Sequence, residues 1–195
     1  MEKFLANALN DEFEIGNEGI YLDFSTPDKA YEGIKNALLK GQKVISGTTN
    51  IDNDKMIELK KLSILNEASF IWVPNYAIGA SVMGELLDII KGKFRDISIS
   101  ETLHISKIDT PSGTAKEYGN KLNVTNIVSN RLDTNIIYHE ISLENPGEKL
   151  IIRHEILDKE AFLNGIRLAI NVISNIDYIL LIGLDDFYDL LKSNN

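Results

Sequence analysis

The sequence contains no cysteine, so it can form neither a disulfide nor a thiolate metal site. Histidine is scarce as well: there are three, none with carboxylates at ligand spacing, so no metal is expected. No apolar run is long enough to cross a bilayer. The start, Met1-Glu-Lys-Phe-Leu-Ala, lacks the shape of a signal peptide. These absences set the expectation of a soluble, cytoplasmic protein without membrane contact. Basic charge is also short, at 20 Lys and Arg against 29 Asp and Glu for a formal net charge of −9, and no basic patch shows. A phosphate backbone needs such a patch, so nucleic acid is excluded as a partner. Internal repeats and low-complexity segments are absent. What is present is globular: 44% hydrophobic and 25% charged residues over 195, enough for a core in one domain or two small ones.

Periodicity gives an α/β reading. Phe4, Leu5, Ala8 and Leu9 share the face of a short N-terminal helix, and Asp11 to Gly19 reads as an acidic loop or short strand. Gly19 to Phe24 is a short apolar run of the kind found in buried parallel strands. A helix then opens at Ser25-Thr26-Pro27, with a hydroxyl cap and a first-turn proline, and closes at Gly41. Lys43–Ser46 is the next strand, Lys55 to Asn66 the next helix, and Ala68–Val73 a third strand. This β-α-β-α-β alternation with short connections predicts a parallel sheet whose carboxyl-end loops share one edge. Ligands bind at that edge in such sheets. The loops are Asp23-Phe24-Ser25, Gly47-Thr48-Thr49 and Pro74-Asn75-Tyr76. Further on, Ala77 to Lys91 is an apolar helix, Asn123 to Ile136 is polar with irregular strand character, and Ile137–Leu143 and Glu148–Ile156 form a hairpin. His139 and His154 lie on its two arms and are given structural roles. Helices at Asp158–Ser174 and Asp185–Leu191 flank an apolar run, Ile176–Leu181.

One stretch concentrates reactive groups: Glu101-Thr-Leu-His104-Ile-Ser-Lys107-Ile-Asp109-Thr-Pro111-Ser112-Gly113-Thr114-Ala115. It begins as a strand, with Ile97, Ile99 and Glu101 on one face, and ends in a turn that feeds a helix near Ala115. Ser112 or Thr114 can cap that helix. Unpaired N–H groups and the dipole at a helix start favour an anion, and a glycine lets a ligand approach the backbone. Ser112, Gly113 and Thr114 are therefore a candidate carboxylate or phosphate cradle. Lys107 adds a cation and a proton donor, and His104 a hydrogen-bond donor that titrates near neutral pH. Each feature alone is ordinary in a capped helix after a turn; together they point to an anion site.

This stretch resembles the signature of the dihydrodipicolinate reductase family, also called 4-hydroxy-tetrahydrodipicolinate reductases: Glu-x-His-His-x-x-Lys-x-Asp-x-Pro-Ser-Gly-Thr-Ala. The resemblance extends to Asp23-Phe24-Ser25-Thr26-Pro27, to Gly47-Thr48-Thr49, and to Asn75-Tyr76 followed by Gly79. It implies an α/β fold: a partial Rossmann-like parallel-sheet domain (1–76 with 175–195) and an α+β substrate-binding and tetramerisation domain (77–174). It implies NADH or NADPH as cofactor, contacted by Phe24, Gly47, Thr48, Thr49, Val73, Pro74, Asn75 and Tyr76. The implied substrate is a cyclic unsaturated dicarboxylate of the diaminopimelate and lysine pathway, held by His104, Lys107, Ser112, Gly113 and Thr114. Lys107 is the implied proton donor, and a homotetramer the implied assembly.

Three departures from the family pattern matter. The first His of its His-His pair is Leu103 here, and the Arg of its Arg-x-x-Phe-x-x-Gly helix is Lys159, before Phe162 and Gly165. The family also opens with a Gly-x-x-Gly-x-x-Gly loop that holds the cofactor pyrophosphate; no such loop occurs in this sequence, and Met1 is expected to fall beyond it. General acid–base help is typically worth ~10²–10⁴-fold, so the expectation is a reductase of low activity. The alternative is a non-catalytic dicarboxylate-binding or assembly relative that lacks the cofactor half.

Overall fold

The computed structural model describes residues 19–134 and 136–193. The expected helix at Met1–Leu9 and most of the acidic segment after it lie outside the described residues. The chain forms two compact units. One is the described part of Met1–Pro74 together with Gly165–Asp186; the other is Asn75–Asn164 with the described part of Phe187–Asn195.

In the first unit, strands β1 (Ile20–Asp23), β2 (Lys43–Ser46), β3 (Phe70–Trp72) and β8 (Leu180–Ile182) form a parallel sheet in the order β1-β2-β3-β8. Helices α1 (Pro27–Leu39) and α2 (Asn53–Leu65) supply the crossovers. Ala30, Ile34, Ala37 and Leu38 form the stripe that α1 buries. They meet Val44, Met56, Leu59 and Phe70 in one core. The α2 start is capped by Asp52, whose carboxylate accepts from the N–H of Asp54 and Lys55. The hydroxyl cap expected for α1 is not made: Thr26 is the N-cap residue but its side chain caps nothing. The Ser25 hydroxyl instead donates to the Asp23 carboxylate, a stronger, charged acceptor. The apolar run after Asn175 becomes β8, paired to β3 as Phe70–Leu180, Ile71–Leu181 and Trp72–Ile182. Lys43 ties this return in place, its ammonium donating to the carbonyls of Ile173 (2.7 Å) and Ile176 (3.0 Å).

The second unit is built on a four-stranded mixed sheet in the order β5-β4-β6-β7. Its strands are β4 (Asp96–His104), β5 (Ile127–Leu132), β6 (Ile137–Asn145) and β7 (Glu148–Ile156). The segment read as having irregular strand character contains β5, which runs parallel to β4; β4–β6 and β6–β7 are antiparallel. The register aligns Ile127, Ile99, Ile141 and Ile152 in one row and Ser129, Glu101, His139 and His154 in the next. Helices α3 (Ile78–Ile90) and α4 (Gly113–Leu122) pack in this unit, joined where the Tyr118 hydroxyl donates to the Ala80 carbonyl (2.7 Å). Gly79, in the first turn of α3, lies against the His154 ring of β7, where a Cβ would stand 2.6 Å from ring atoms. The last helices are α5 (Ala161–Asn175) and α6 (Leu184–Ser193). No helix among the described residues is long and apolar enough to cross a membrane.

Candidate active site

In the parallel-sheet unit, all four strands end at the same edge, and each following loop is stitched to its neighbour. The N–H of Gly47 donates to Asp23 O (2.9 Å), that of Val73 to Ser46 O (3.1 Å), and that of Gly183 to Trp72 O (2.9 Å). Phe24, Gly47, Thr48, Thr49, Val73 and Pro74 are thereby set along one edge. A buried carboxylate organises them. Asp23 accepts from the hydroxyls of Ser25 and Ser46, the latter at 2.7 Å. Having given its proton to Asp23, the Ser46 hydroxyl accepts from the Thr48 N–H (3.3 Å). The Trp72 indole N–H donates to Thr48 O (2.8 Å). The Thr48 backbone is thus fixed from both sides, while its buried Oγ1 has no hydrogen-bond partner among the described residues. A buried hydroxyl left unpaired is costly, so a ligand group able to pair with it fits this edge.

Asn75 and Tyr76 open the second unit. The Asn75 side-chain carbonyl accepts from Ala77 N–H (3.0 Å), and the Tyr76 ring meets Phe187 edge-on at 5.5 Å.

The remaining candidate residues lie on β4, α4 and the loop between them. His104 ends β4. Its Nδ1 accepts the Ser106 N–H (3.1 Å), so in the neutral ring Nε2 carries the proton. Nε2 faces Asp133 at 3.6 Å. Lys107 follows, its ammonium 3.1 Å from the largely buried Asp109 carboxylate. Ser112 is the N-cap of α4, accepting from Ala115 N–H (3.2 Å). The helix therefore begins at Gly113, two residues before the expected Ala115. Gly113 and Thr114 are its first two residues, whose N–H groups have no intrahelical partner.

Beneath the cap lies Glu101, fully buried. Its carboxylate accepts from Ser112 N–H (3.1 Å), the Ser112 hydroxyl, the Ser129 hydroxyl (2.8 Å) and Arg131 Nη2 (2.9 Å). His139 Nε2 stands 3.4 Å away. Burial alone would raise its pKa; the hydrogen bonds from His139, Ser112, Ser129 and Arg131 outweigh that and hold it well below the usual carboxylate range. The Ser112 hydroxyl is therefore engaged with Glu101 and the helix start, while Gly113 beside it is half-buried and Thr114 buried. Leu103, two residues along the same face, is buried and can neither donate a proton nor bind an anion. Lys159 sits exposed in the turn before α5.

Residues 2–76 match the profile described as "Dihydrodipicolinate reductase, N-terminus", and residues 77–187 that described as "Dihydrodipicolinate reductase, C-terminus". A 4-hydroxy-tetrahydrodipicolinate reductase of Dictyoglomus turgidum is 31% identical over 193 residues, covering 85% of this chain and 70% of the relative. The chain belongs to the dihydrodipicolinate reductase family. Proteins of the same name from Oceanobacillus iheyensis and Bacillus mycoides are 28% and 27% identical, over 86% and 87% of this chain and 72% and 73% of theirs. The fold is shared with a solved structure titled dipicolinate-bound dihydrodipicolinate reductase from Paenisporosarcina sp. TG-14, at a TM-score of 0.67 and 24% identity, covering 95% of this chain and 77% of that one. Dihydrodipicolinate reductases are NAD(P)H-dependent oxidoreductases of lysine and diaminopimelate biosynthesis with a Rossmann-like nucleotide-binding fold.

Sequence reasoning had reached Lys107, His104 and the 112–114 cradle. It missed Asp23 and Ser46 as organisers of the strand-end loops, and Arg131 and Ser129 as partners of Glu101. The alternation of Ile127, Ser129 and Arg131 was the available signal for the last two.

Proposed function

We propose that this chain is a 4-hydroxy-tetrahydrodipicolinate reductase of low turnover. NADH or NADPH binds the edge formed by Phe24, Gly47–Thr49, Val73 and Pro74, and a cyclic dicarboxylate binds at His104, Lys107 and the α4 start. The observation that supports the substrate half is the start of α4, where the N–H groups of half-buried Gly113 and buried Thr114 lack intrahelical partners and Ser112 is held by a buried, hydrogen-bonded Glu101. On the cofactor side the unpartnered Thr48 hydroxyl fits a polar ligand. The bound dinucleotide supplies the hydride. The chain's own residues do the rest: the Gly113 and Thr114 N–H groups and the Thr114 hydroxyl bind one carboxylate, His104 Nε2–H donates to the ligand, and the Lys107 ammonium delivers the proton. Low turnover follows from Leu103, which removes the family's acid–base imidazole, a loss of ~10²-fold or more.

A cytoplasmic homotetramer is part of this reading. The sheet face opposite the Glu101 row exposes Val128 (55%), Leu132 (53%) and Ile151 (52%), apolar surface suited to a symmetric contact.

A thermal-shift titration with NADH, NADPH and pyridine-2,6-dicarboxylate, separately and together, tests the assignment. Any ligand that binds only the native state raises the melting temperature. A shift with a dinucleotide and with the dicarboxylate is expected. A shift with the dicarboxylate alone would replace the reductase with the binding-protein alternative that Leu103 also suits.

A further inference from the structure

The Lys107 loop and the α4 start follow one another in the chain, and both are held by one ion pair. Arg131, on β5, is largely buried and donates to four acceptors. Nη2 reaches Glu101 Oε1 (2.9 Å), Nε reaches Lys107 O (3.1 Å), and Nη2 also reaches Asp109 O. Nη1 closes on Asn130 O (3.0 Å). The same Glu101 carboxylate accepts both the N–H and the hydroxyl of Ser112, the residue that starts α4. One planar guanidinium thus grips the backbone on both sides of Ile108, which is itself 94% exposed. Through Glu101 it locks that loop to the helix start.

We propose that Arg131 is a positioning residue for dicarboxylate binding: with Glu101 it sets where Lys107 stands relative to the Gly113–Thr114 N–H groups. The inference deepens the functional reading above and rests on it. The geometry asks for arginine in particular. Only a planar fork can serve a carboxylate and two carbonyls at once; a lysine ammonium is a point charge on a flexible stem. Small displacements of a positioning backbone translate into large losses at the bound ligand.

The test is a double-mutant cycle on pyridine-2,6-dicarboxylate affinity, measured by calorimetry for the wild type, Arg131→Lys, Lys107→Ala and the double variant. Arg131→Lys keeps the charge beside Glu101 and loses the grip on the loop. It is expected to weaken binding about tenfold in the wild-type background and less than about twofold once Lys107 is alanine, the non-additivity of residues acting as a unit. Equal losses in both backgrounds, or wild-type affinity in a folded Arg131→Lys chain, overturn the proposal. A wild-type chain that does not bind the dicarboxylate overturns the functional reading instead. A second measurement does not depend on ligand: amide hydrogen exchange at 105–111 should speed up in Arg131→Lys, or in Glu101→Gln if Arg131→Lys does not fold, while the α4 amides beyond the first turn keep their protection. Unchanged exchange at 105–111 refutes the bracket.

Discussion

Replacing Gly79 by alanine should destabilise the protein through a single neighbour, the His154 ring. The added Cβ would stand 2.6 Å from both Cδ2 and Nε2 of that ring and 3.5 Å from Cε1. Carbon atoms in contact prefer ~3.5–4.0 Å, so the ring has to withdraw by about 1 Å. Its cross-strand neighbour His139 is buried and already engaged with Glu101, which limits retreat along the sheet. Overpacking of this size costs about 1–3 kcal/mol. Alanine in place of glycine in a helix gives back about 0.4–1 kcal/mol, leaving a net loss of about 0.5–2 kcal/mol. With His154 also changed to alanine the obstacle is gone, and the Gly79 substitution should become stabilising by about 0.4–1 kcal/mol. Urea denaturation of the four proteins followed by far-ultraviolet circular dichroism measures this reversal of sign. A Gly79→Ala penalty of the same size in both backgrounds would refute the steric reasoning, and so would a neutral Gly79→Ala in the wild type.

Other perturbations have equally definite outcomes. Ser112→Ala removes the α4 cap and a donor to a buried carboxylate, so a loss of about 2–4 kcal/mol in urea unfolding is expected, and one under about 0.5 kcal/mol would contradict the role given to the cap. Thr48→Val removes an unpaired buried hydroxyl; the ligand-free protein should be as stable or up to about 1–2 kcal/mol more so, while the melting shift produced by NAD(P)H shrinks, and an undiminished shift would count against Thr48 as a cofactor contact. Acid stability should fall in two stages. Burial, then the charge of His139, lowers the His154 pKa below its ordinary 6.5, so the unfolded chain binds the proton first. The His154 contribution is complete above pH 6.5 and is lost as pH falls through its depressed native value. Glu101, also depressed, gives way only in stronger acid. Stability curves against pH for the wild type and His154→Ala should separate in the first stage and run parallel in the second; parallel curves throughout would contradict this assignment.

The readable parts of the fold were those with strong local punctuation. Pro27, Gly41 and the apolar runs around them mark β1, α1 and β2, whereas α2, expected from Lys55, begins two residues earlier behind the Asp52 cap. The hairpin alternates cleanly enough to put His139 and His154 on its two arms; that they pair came from the register. The strand missed outright, β8, and the one read only as irregular, β5, depend for their pairing on distant partners. β8 has three residues, too few to show a period, and exists because β3 leaves an edge for it. β5 alternates, but with Ser129, Asn130 and Arg131 in place of apolar residues, since its inner row ends in polar groups that serve Glu101. The site divides in the same way. Lys107 and Ser112–Thr114 sit in one contiguous motif, whereas Arg131 comes 30 residues after Glu101 and reaches it only through the parallel β4–β5 register. Gly79 was visible as a family signal; its physical reason, the close approach of His154, required the fold.

The most direct test of the reductase assignment is turnover: loss of NADH or NADPH absorbance with 4-hydroxy-tetrahydrodipicolinate, for the wild type, Lys107→Ala and Leu103→His. The account predicts slow but measurable oxidation by the wild type, a further fall in kcat for Lys107→Ala, and a gain for Leu103→His approaching the ~10²-fold or more that an acid–base imidazole contributes. Folded wild type and Leu103→His that both leave the dinucleotide unoxidised, while the dicarboxylate still binds, would contradict it.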